Sequence, residues 1–278
     1  MANVWDAMKK HQAEQVAGAA PQQPPGDEAP AADSGQGRPP AAAQAGGRTA
    51  LGQVILNGYS PALVAHHDRG GRVTEEYRGL RTNLLAQYPD ERFCLVVTSA
   101  EVREGKTVTC LNLALVLAER QERRTVVVDC DLRKRTVAAL MKVKNTPGMA
   151  DLLRGTARLD DVAQATPYRN LFVVPAGQAA KDEVGEILGR PELEEIVNEL
   201  RRRYDYVLFD TPPVSIASDA GMVGRATHEA ILVVRMNKTH RESVDRAIRL
   251  LHAANVKPVG LVLTHQKYYI PNYLYRYS

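Results

Sequence analysis

Aromatic residues are scarce in this chain. Phe, Trp and Tyr make up 5% of its 278 residues, with one Trp and three Phe. Cysteine is scarcer still: Cys94, Cys110 and Cys130 each sit inside an apolar run, with no CxxC pair and no histidine partner. That excludes a disulfide scaffold and a thiolate metal site, and it predicts buried free thiols in a reducing cytosol. No apolar run approaches the roughly 20 residues that span a bilayer. The first residues lack the charged region, apolar region and cleavage site of a secretory signal. Charge of one sign is in small excess, 36 Lys and Arg against 32 Asp and Glu, for a net +4. So mild a balance suits phosphate ligands or an anionic membrane face but gives no ground for nucleic-acid binding.

Against that scarcity, the distribution of tyrosine is informative. Five of the eleven tyrosines, Tyr268, Tyr269, Tyr273, Tyr275 and Tyr277, fall in the last eleven residues. The terminal run KYYIPNYLYRYS also carries Pro271, Asn272 and Arg276 and has neither a helical nor a strand period. It predicts a flexible tail over 266–278 rather than core. The other six tyrosines, Tyr59, Tyr77, Tyr88, Tyr168, Tyr204 and Tyr206, fall mostly inside predicted elements and read as structural. At the opposite end, residues 1–16 place Val4, Trp5, Met8 and Val16 at roughly helical spacing. This predicts a short amphipathic helix, equally suited to docking on a partner or to being an inert terminus. Residues 17–49 are rich in Ala, Pro, Gln and Gly, cannot build a packed face, and predict a disordered linker.

Residues 50–265 have a different pattern. VTEEYRGLRTNLLAQY (73–88) reads as an amphipathic helix. Six buried-strand runs follow: FCLVVTSA (93–100), RTVVVDCD (124–131), LFVVPAG (171–177), YDYVLFDTPP (204–213), EAILVVRM (229–236) and KPVGLVLTH (257–265). Helical segments such as KTVTCLNLALVLAER, RPELEEIVNELRRR and HRESVDRAIRLLHAA separate them. The alternation predicts an α/β domain, a mostly parallel sheet with helices on both faces. Ligands of such sheets sit beyond the carboxyl ends of the strands.

The strand ends carry the candidate chemistry. After the first strand stands AEVREGKT (100–107), which fits [A/G]xxxxGK[S/T] between a strand and a helix. Backbone amides of such a loop cradle phosphate oxygens, so Arg103, Glu104, Gly105, Lys106, Thr107 and Val108 are the candidate nucleotide contacts. Gly105 permits close backbone approach, Lys106 reaches the β- and γ-phosphates, and Thr107 offers a hydroxyl to Mg²⁺. The second strand ends in Asp129 and Asp131, and the fourth in Asp210. Acids at the ends of buried strands are costly unless paired or coordinating. Asp210 is expected to hold Mg²⁺ with Thr107. Asp129 is expected to orient or deprotonate a nucleophile and to share in metal binding. Asp131 is a third catalytic candidate, although capping the loop would explain it alone. His66 and His67 lack carboxylate or cysteine partners nearby in sequence and read as loop packing.

The runs AEVREGKT, TVVVDCDLR and YDYVLFDTPP resemble the Walker A, Walker A′ and Walker B set of the bacterial tyrosine kinases of polysaccharide synthesis. EEYRGLR matches that family's ExxRxxR element at Glu75, Arg78 and Arg81, and the tyrosine tail completes the likeness. The resemblance covers about residues 60–278. It implies an autokinase that uses ATP and Mg²⁺ to phosphorylate tyrosines in its own tail, here Tyr268, Tyr269, Tyr273, Tyr275 and Tyr277. It further implies a homo-oligomeric ring built through Glu75, Arg78 and Arg81, with each tail offered to a neighbouring site. A transmembrane polysaccharide co-polymerase would activate it at the inner face of the plasma membrane, and a protein-tyrosine phosphatase would reverse the modification.

The chain departs from the family pattern at three places. Val102 and Arg103 replace a Pro-Gly pair; if the glycine position needs a positive φ, arginine there costs about 1–2 kcal/mol. Binding is expected to survive with altered affinity. AAKDEVGEIL replaces a Pro-Asn-Pro element, and Thr264 stands where an Asn is usual. Two other functions compete with the kinase. A ParA- or MinD-like ATPase switch would carry a lysine where this chain has Glu101, and no tyrosine tail. A catalytically weak ATP-binding adaptor finds its one argument in Arg103.

Overall fold

The structure, a computed structural model, describes residues 59–266, all within one unit, Ala50–Ser278. The expected helix over 1–16, the linker over 17–49 and the tail from Lys267 onward lie outside the described residues. In chain order the first elements are α1 (Val64–His67), α2 (Arg72–Leu85), β1 (Phe93–Ser99), α3 (Lys106–Leu117), β2 (Thr125–Asp129) and α4 (Val137–Met141). Then come α5 (Met149–Leu153), α6 (Leu159–Val162), β3 (Gln164–Ala165), β4 (Leu171–Val174), α7 (Val184–Leu188) and α8 (Glu192–Arg203). The last are β5 (Tyr206–Asp210), α9 (Asp219–Thr227), β6 (Glu229–Arg235), α10 (Arg241–Ala253) and β7 (Lys257–Thr264).

The seven strands form one sheet in the order β3-β4-β2-β5-β1-β6-β7. Every pairing is parallel except that of the two-residue β3 with β4. Central strands β1, β2 and β5 are buried along their whole length, as continuous apolar runs in a doubly covered sheet require. Period-two alternation distributes their side chains between two cores. Val96, Val128, Phe209 and Leu232 pack on one face with residues of α5, α7, α8, α9 and α10. Leu95, Val97, Val127, Leu208 and Ile231 pack on the other with residues of α1, α2, α3 and α4. Burying each such side chain contributes about 1.5–3 kcal/mol, so one strand shifted by a single residue would turn both cores inside out. Pro258 is tolerated because β7 lies at the edge of the sheet.

The helices are explained by charge as well as by apolar period. α8 has Glu192, Glu194 and Glu195 in its first turn and Arg201, Arg202 and Arg203 in its last, matching the helix dipole at both ends. By contrast α9 is hard to read from DAGMVGRAT, because two glycines lower its propensity. The structure supplies the reason for one of them: a Cβ on Gly224 would lie 2.5 Å from Val256 Cγ2. Close packing decides that position over propensity. The structural reading of the internal tyrosines holds for Tyr206 and Tyr204, which are buried, and Tyr88 donates to Glu229 Oε2 at 2.7 Å. His66 Nδ1 lies 2.6 Å from the Tyr168 hydroxyl, and His67 Nε2 lies 3.0 Å from the Tyr59 carbonyl, so both rings serve loop packing.

Candidate active site

Chain connections part to opposite sides of the sheet between the neighbours β1 and β5, for β1 leads across to β2 and β5 leads across to β6. The crevice at such a point is where α/β sheets bind ligands. The loop after β1 runs straight into α3, whose N-cap Gly105 is left-handed, with φ 93° and ψ 13°. No side chain caps α3, and its first turn holds no acid. Its free amides and positive dipole end therefore point out of the sheet edge. The residue before Glu104 is left-handed too: Arg103 has φ 62°. The conditional expectation is met, and an arginine occupies a conformation that costs it about 1–2 kcal/mol.

Behind the loop the acidic strand ends converge on one lysine. Register places Asp210 of β5 beside Val97 of β1 and Asp129 of β2. Lys106 Nζ lies 3.0 Å from Asp131 Oδ2, 3.4 Å from Asp210 Oδ1 and 3.2 Å from Thr107 Oγ1. Thr107 Oγ1 donates to Asp210 Oδ2 at 2.7 Å. The structure thus brings together the buried Lys106, Asp131 and Asp210 and the half-buried Thr107 in one cluster. Asp129 is placed differently. It is fully buried, and its two oxygens accept the amides of Asp131 at 3.1 Å and Val137 at 3.1 Å, so it shapes the loop that carries Asp131. Asp131 also accepts the Lys134 amide at 3.2 Å, so loop capping and contact with Lys106 coexist in one side chain.

Burial governs the titration of these groups. It pushes Asp129 well above the ordinary carboxyl range, and the nearby Asp210 adds to the rise. Burial raises Asp210 as well, against the opposing pull of the Lys106 ammonium and the Thr107 hydroxyl. For Lys106, burial works against the charge, but Asp210 and Asp131 outweigh it and hold the pKa above its usual value. Three acids around one ammonium leave an excess of negative capacity, and the oxygen donors Thr107, Asp131 and Asp210 are the hard ligands that Mg²⁺ prefers. The uncapped amides of α3 supply the matching half of the site, for phosphate. The residues present therefore fit a magnesium nucleotide.

An AAA-domain family model matches residues 102–246, more than half of the chain. The tyrosine-protein kinase YwqD of Bacillus subtilis (strain 168) is 31% identical over 195 residues, 70% of this chain and 81% of that protein. The chain belongs to the bacterial tyrosine-kinase family. Tyrosine-protein kinase CpsD of Streptococcus agalactiae serotype III (strain NEM316) is 29% identical over 197 residues, covering 70% of this chain and 84% of that one. The solved kinase domain of Escherichia coli tyrosine kinase ETK superposes with a TM-score of 0.70 at 28% identity, over 75% of this chain and 82% of that one.

In this tyrosine-kinase family member the ExxRxxR residues lie on α2 and engage the chain itself. Arg78 Nε donates to both Glu119 oxygens at 3.0 and 2.9 Å, and Arg78 also pairs with Glu75. Arg81 Nη1 donates to Glu119 Oε2 at 2.8 Å and to the Val116 carbonyl. The motif therefore grips the C-terminal end of α3, the helix that begins at the phosphate loop. The five tail tyrosines lie outside the described residues, but the root of the tail does not. Thr264, at the end of β7, donates its hydroxyl to the Glu104 carbonyl at 2.6 Å. Among the expected nucleotide contacts, Glu104 turns its side chain away from the cradle toward β6. Asn112 of α3, which no sequence signal marked, accepts the Ala65 amide at 2.9 Å and donates to the Ala62 carbonyl at 2.9 Å. It stitches the chain before α2 onto the helix that carries Lys106.

Proposed function

We propose that this chain is an ATP-dependent protein-tyrosine autokinase that modifies its own terminal tyrosines, each tail being offered to the site of a neighbouring copy. The observation that carries the reading is the convergence of Lys106, Thr107, Asp131 and Asp210 at the uncapped start of α3. In its support, the tail departs from a strand end bonded to that same loop.

The roles follow from the chemistry. The amides of residues 103–108 orient the phosphates of ATP, and Lys106 neutralises charge on the β- and γ-oxygens. Thr107 and Asp210 would hold Mg²⁺, with Asp129 behind them; the ion supplies further charge neutralisation when bound. Lys106 is the cation that sits among the acids. Binding requires its ammonium to leave Asp131 and Asp210 for the phosphates, and Asp131 guides that exchange. Asp129, at the end of β2 beside Asp210, is assigned to take the phenol proton as the tyrosine oxygen attacks in line. Eleven terminal residues span at most about 36–40 Å, enough to reach out of one domain into another copy.

Further parts of the proposal rest on the family. We read residues 1–16 as a short helix, 17–49 as a linker, 50–265 as the kinase domain and 266–278 as the acceptor tail. Glu75, Arg78 and Arg81 would form the contact between copies in a ring. A transmembrane co-polymerase of polysaccharide synthesis would recruit the kinase to the inner face of the plasma membrane. Each phosphate adds about −1.5 to −2 charges at neutral pH. Several on one tail would repel it from an ATP-filled site and loosen the assembly until a phosphatase restores it. One observation favours a second reading: left-handed Arg103 strains the loop, as expected of an adaptor that binds ATP without transferring phosphate. Incubating the full chain with ATP and Mg²⁺ separates the two. Phosphotyrosine supports the kinase; bound ATP with no phosphotyrosine, alone or with the membrane partner, supports the adaptor.

A further inference from the structure

Glu104 stands between the two left-handed residues of the loop, Arg103 at φ 62° and Gly105 at φ 93°. Glycine adopts such a conformation freely, whereas arginine resists it by about 5- to 30-fold in an equilibrium constant. Strained backbone of this kind persists only where its surroundings over-determine it. The surroundings here are the contacts of Glu104, which is 2% exposed. Its Oε2 accepts the Glu101 amide at 2.6 Å and closes the loop on itself. Its Oε1 accepts the Arg235 amide at 3.1 Å and the Thr239 hydroxyl, both at the exit of β6. Its carbonyl accepts the Thr264 hydroxyl at 2.6 Å from the end of β7. One residue ties the loop to itself and to two neighbouring strands.

We propose that Glu104 is a positioning residue, whose carboxyl group anchors the phosphate loop to the exit of β6 and so holds left-handed Arg103 in the shape that receives phosphate. The inference rests on the nucleotide reading of the loop and concerns how the loop is held, not the transfer step. It assigns the chain's departure at Arg103 a compensating partner one residue away. Both carboxyl oxygens accept, and neither donates. A glutamine in this place would set its amide N–H against the Glu101 amide or against the Arg235 amide and Thr239, and could replace the carboxyl group only in part.

The test is a double-mutant cycle on the full chain, with the dissociation constant for MgATP measured by calorimetry. Glu104→Ala should weaken binding about tenfold, with Glu104→Gln and Thr239→Val intermediate. Arg103→Gly should recover most of the loss in the Glu104→Ala chain and have a smaller effect in the wild-type background, because only the unanchored loop pays the full left-handed cost. General damage to the fold would not be repaired by a glycine at position 103. If Glu104→Ala does not fold, the same cycle is run with Glu104→Gln. Equal MgATP affinity in wild type and both Glu104 variants overturns the proposal alone, as does an Arg103→Gly effect of the same size in both backgrounds. A wild-type chain that binds no MgATP overturns the nucleotide reading and this proposal together.

Discussion

Arg78 and Glu119 form a forked ion pair, with the guanidinium Nε 3.0 and 2.9 Å from the two carboxyl oxygens. Glu119 lies just past the end of α3, and Lys106 begins it. A helix of 12 residues is about 18 Å long, so the ExxRxxR motif and the phosphate loop sit at opposite ends of one rigid rod. If α2 also forms the proposed contact between copies, Arg78→Ala with Arg81→Ala should abolish the assembled form and slow phosphorylation between copies. Light scattering in the presence of Mg²⁺ checks the first effect. A double variant that keeps the wild-type mass would remove these arginines from the contact between copies.

The same clamp predicts a pH dependence. Hydrogen bonds from Arg78, and then from Arg81, hold the Glu119 pKa below its ordinary value of 4.5. A lowered acid contributes stability that is fully present above its unfolded value and is lost as pH falls through the folded one. Docking of α2 should thus weaken below about pH 4.5, and Glu119→Gln should remove that step. Hydrogen exchange of the α2 amides, compared between pH 6 and pH 3.5, reads both effects.

Lys106→Met should eliminate nucleotide binding and also destabilise the ligand-free chain. Removing one partner of a buried ion pair costs about 3–5 kcal/mol, since Asp131 and Asp210 lose their cation. The wild-type contribution of Lys106 is present at all pH values below its ordinary 10.5 and is lost only as pH rises through its raised folded value. The Lys106 ammonium holds the pKa of Asp210 down, so without it Asp210 protonates more readily and the stability gap should be widest near pH 8 and narrow toward pH 4. Denaturant titrations at both pH values measure it. An equal gap at both would show that the loss comes from packing rather than charge.

The thiols should be inert in the folded chain. Burial pushes Cys94 up to about 11 and raises Cys110 and Cys130 well above the ordinary value, and none of the three is exposed. With a disulfide reagent at pH 8 no thiol should react before denaturant is added and all three should react afterwards. Rapid labelling of the native chain would contradict the packing of β1, α3 and the exit of β2.

The extent to which the sequence revealed this arrangement follows from which interactions are local. The six parallel strands were legible because continuous apolar runs bounded by charge mark a doubly covered sheet, and FCLVVTS and YVLFD form β1 and β5 as expected. Lys106, Thr107 and Asp210 were legible because the phosphate loop and the acidic strand end have fixed local chemistry. The helices α4, α5, α6 and α7 and the antiparallel β3 were not, since a helix of little more than one turn or a strand of two residues carries no measurable period. α9 was hidden by the glycine that its packing on Val256 requires. Glu104 was read as a nucleotide contact from its place in the loop. Its turn toward Thr239, 135 positions away, depends on tertiary contacts that no local pattern encodes. The engagement of Arg78 and Arg81 with Glu119 was likewise invisible, because the partner lies 41 and 38 positions along the chain.

The central claim is that the lysine and acids at the edge of this sheet transfer phosphate to the terminal tyrosines. Mass spectrometry of the full chain after incubation with ATP and Mg²⁺, beside Lys106→Met and a chain with all five terminal tyrosines changed to Phe, tests it most directly. Phosphate is expected on several of Tyr268, Tyr269, Tyr273, Tyr275 and Tyr277 in the wild type, none in Lys106→Met, and little in the Phe chain, which still binds MgATP. Phosphate found chiefly on Tyr77 or Tyr168, or undiminished in Lys106→Met, would contradict it.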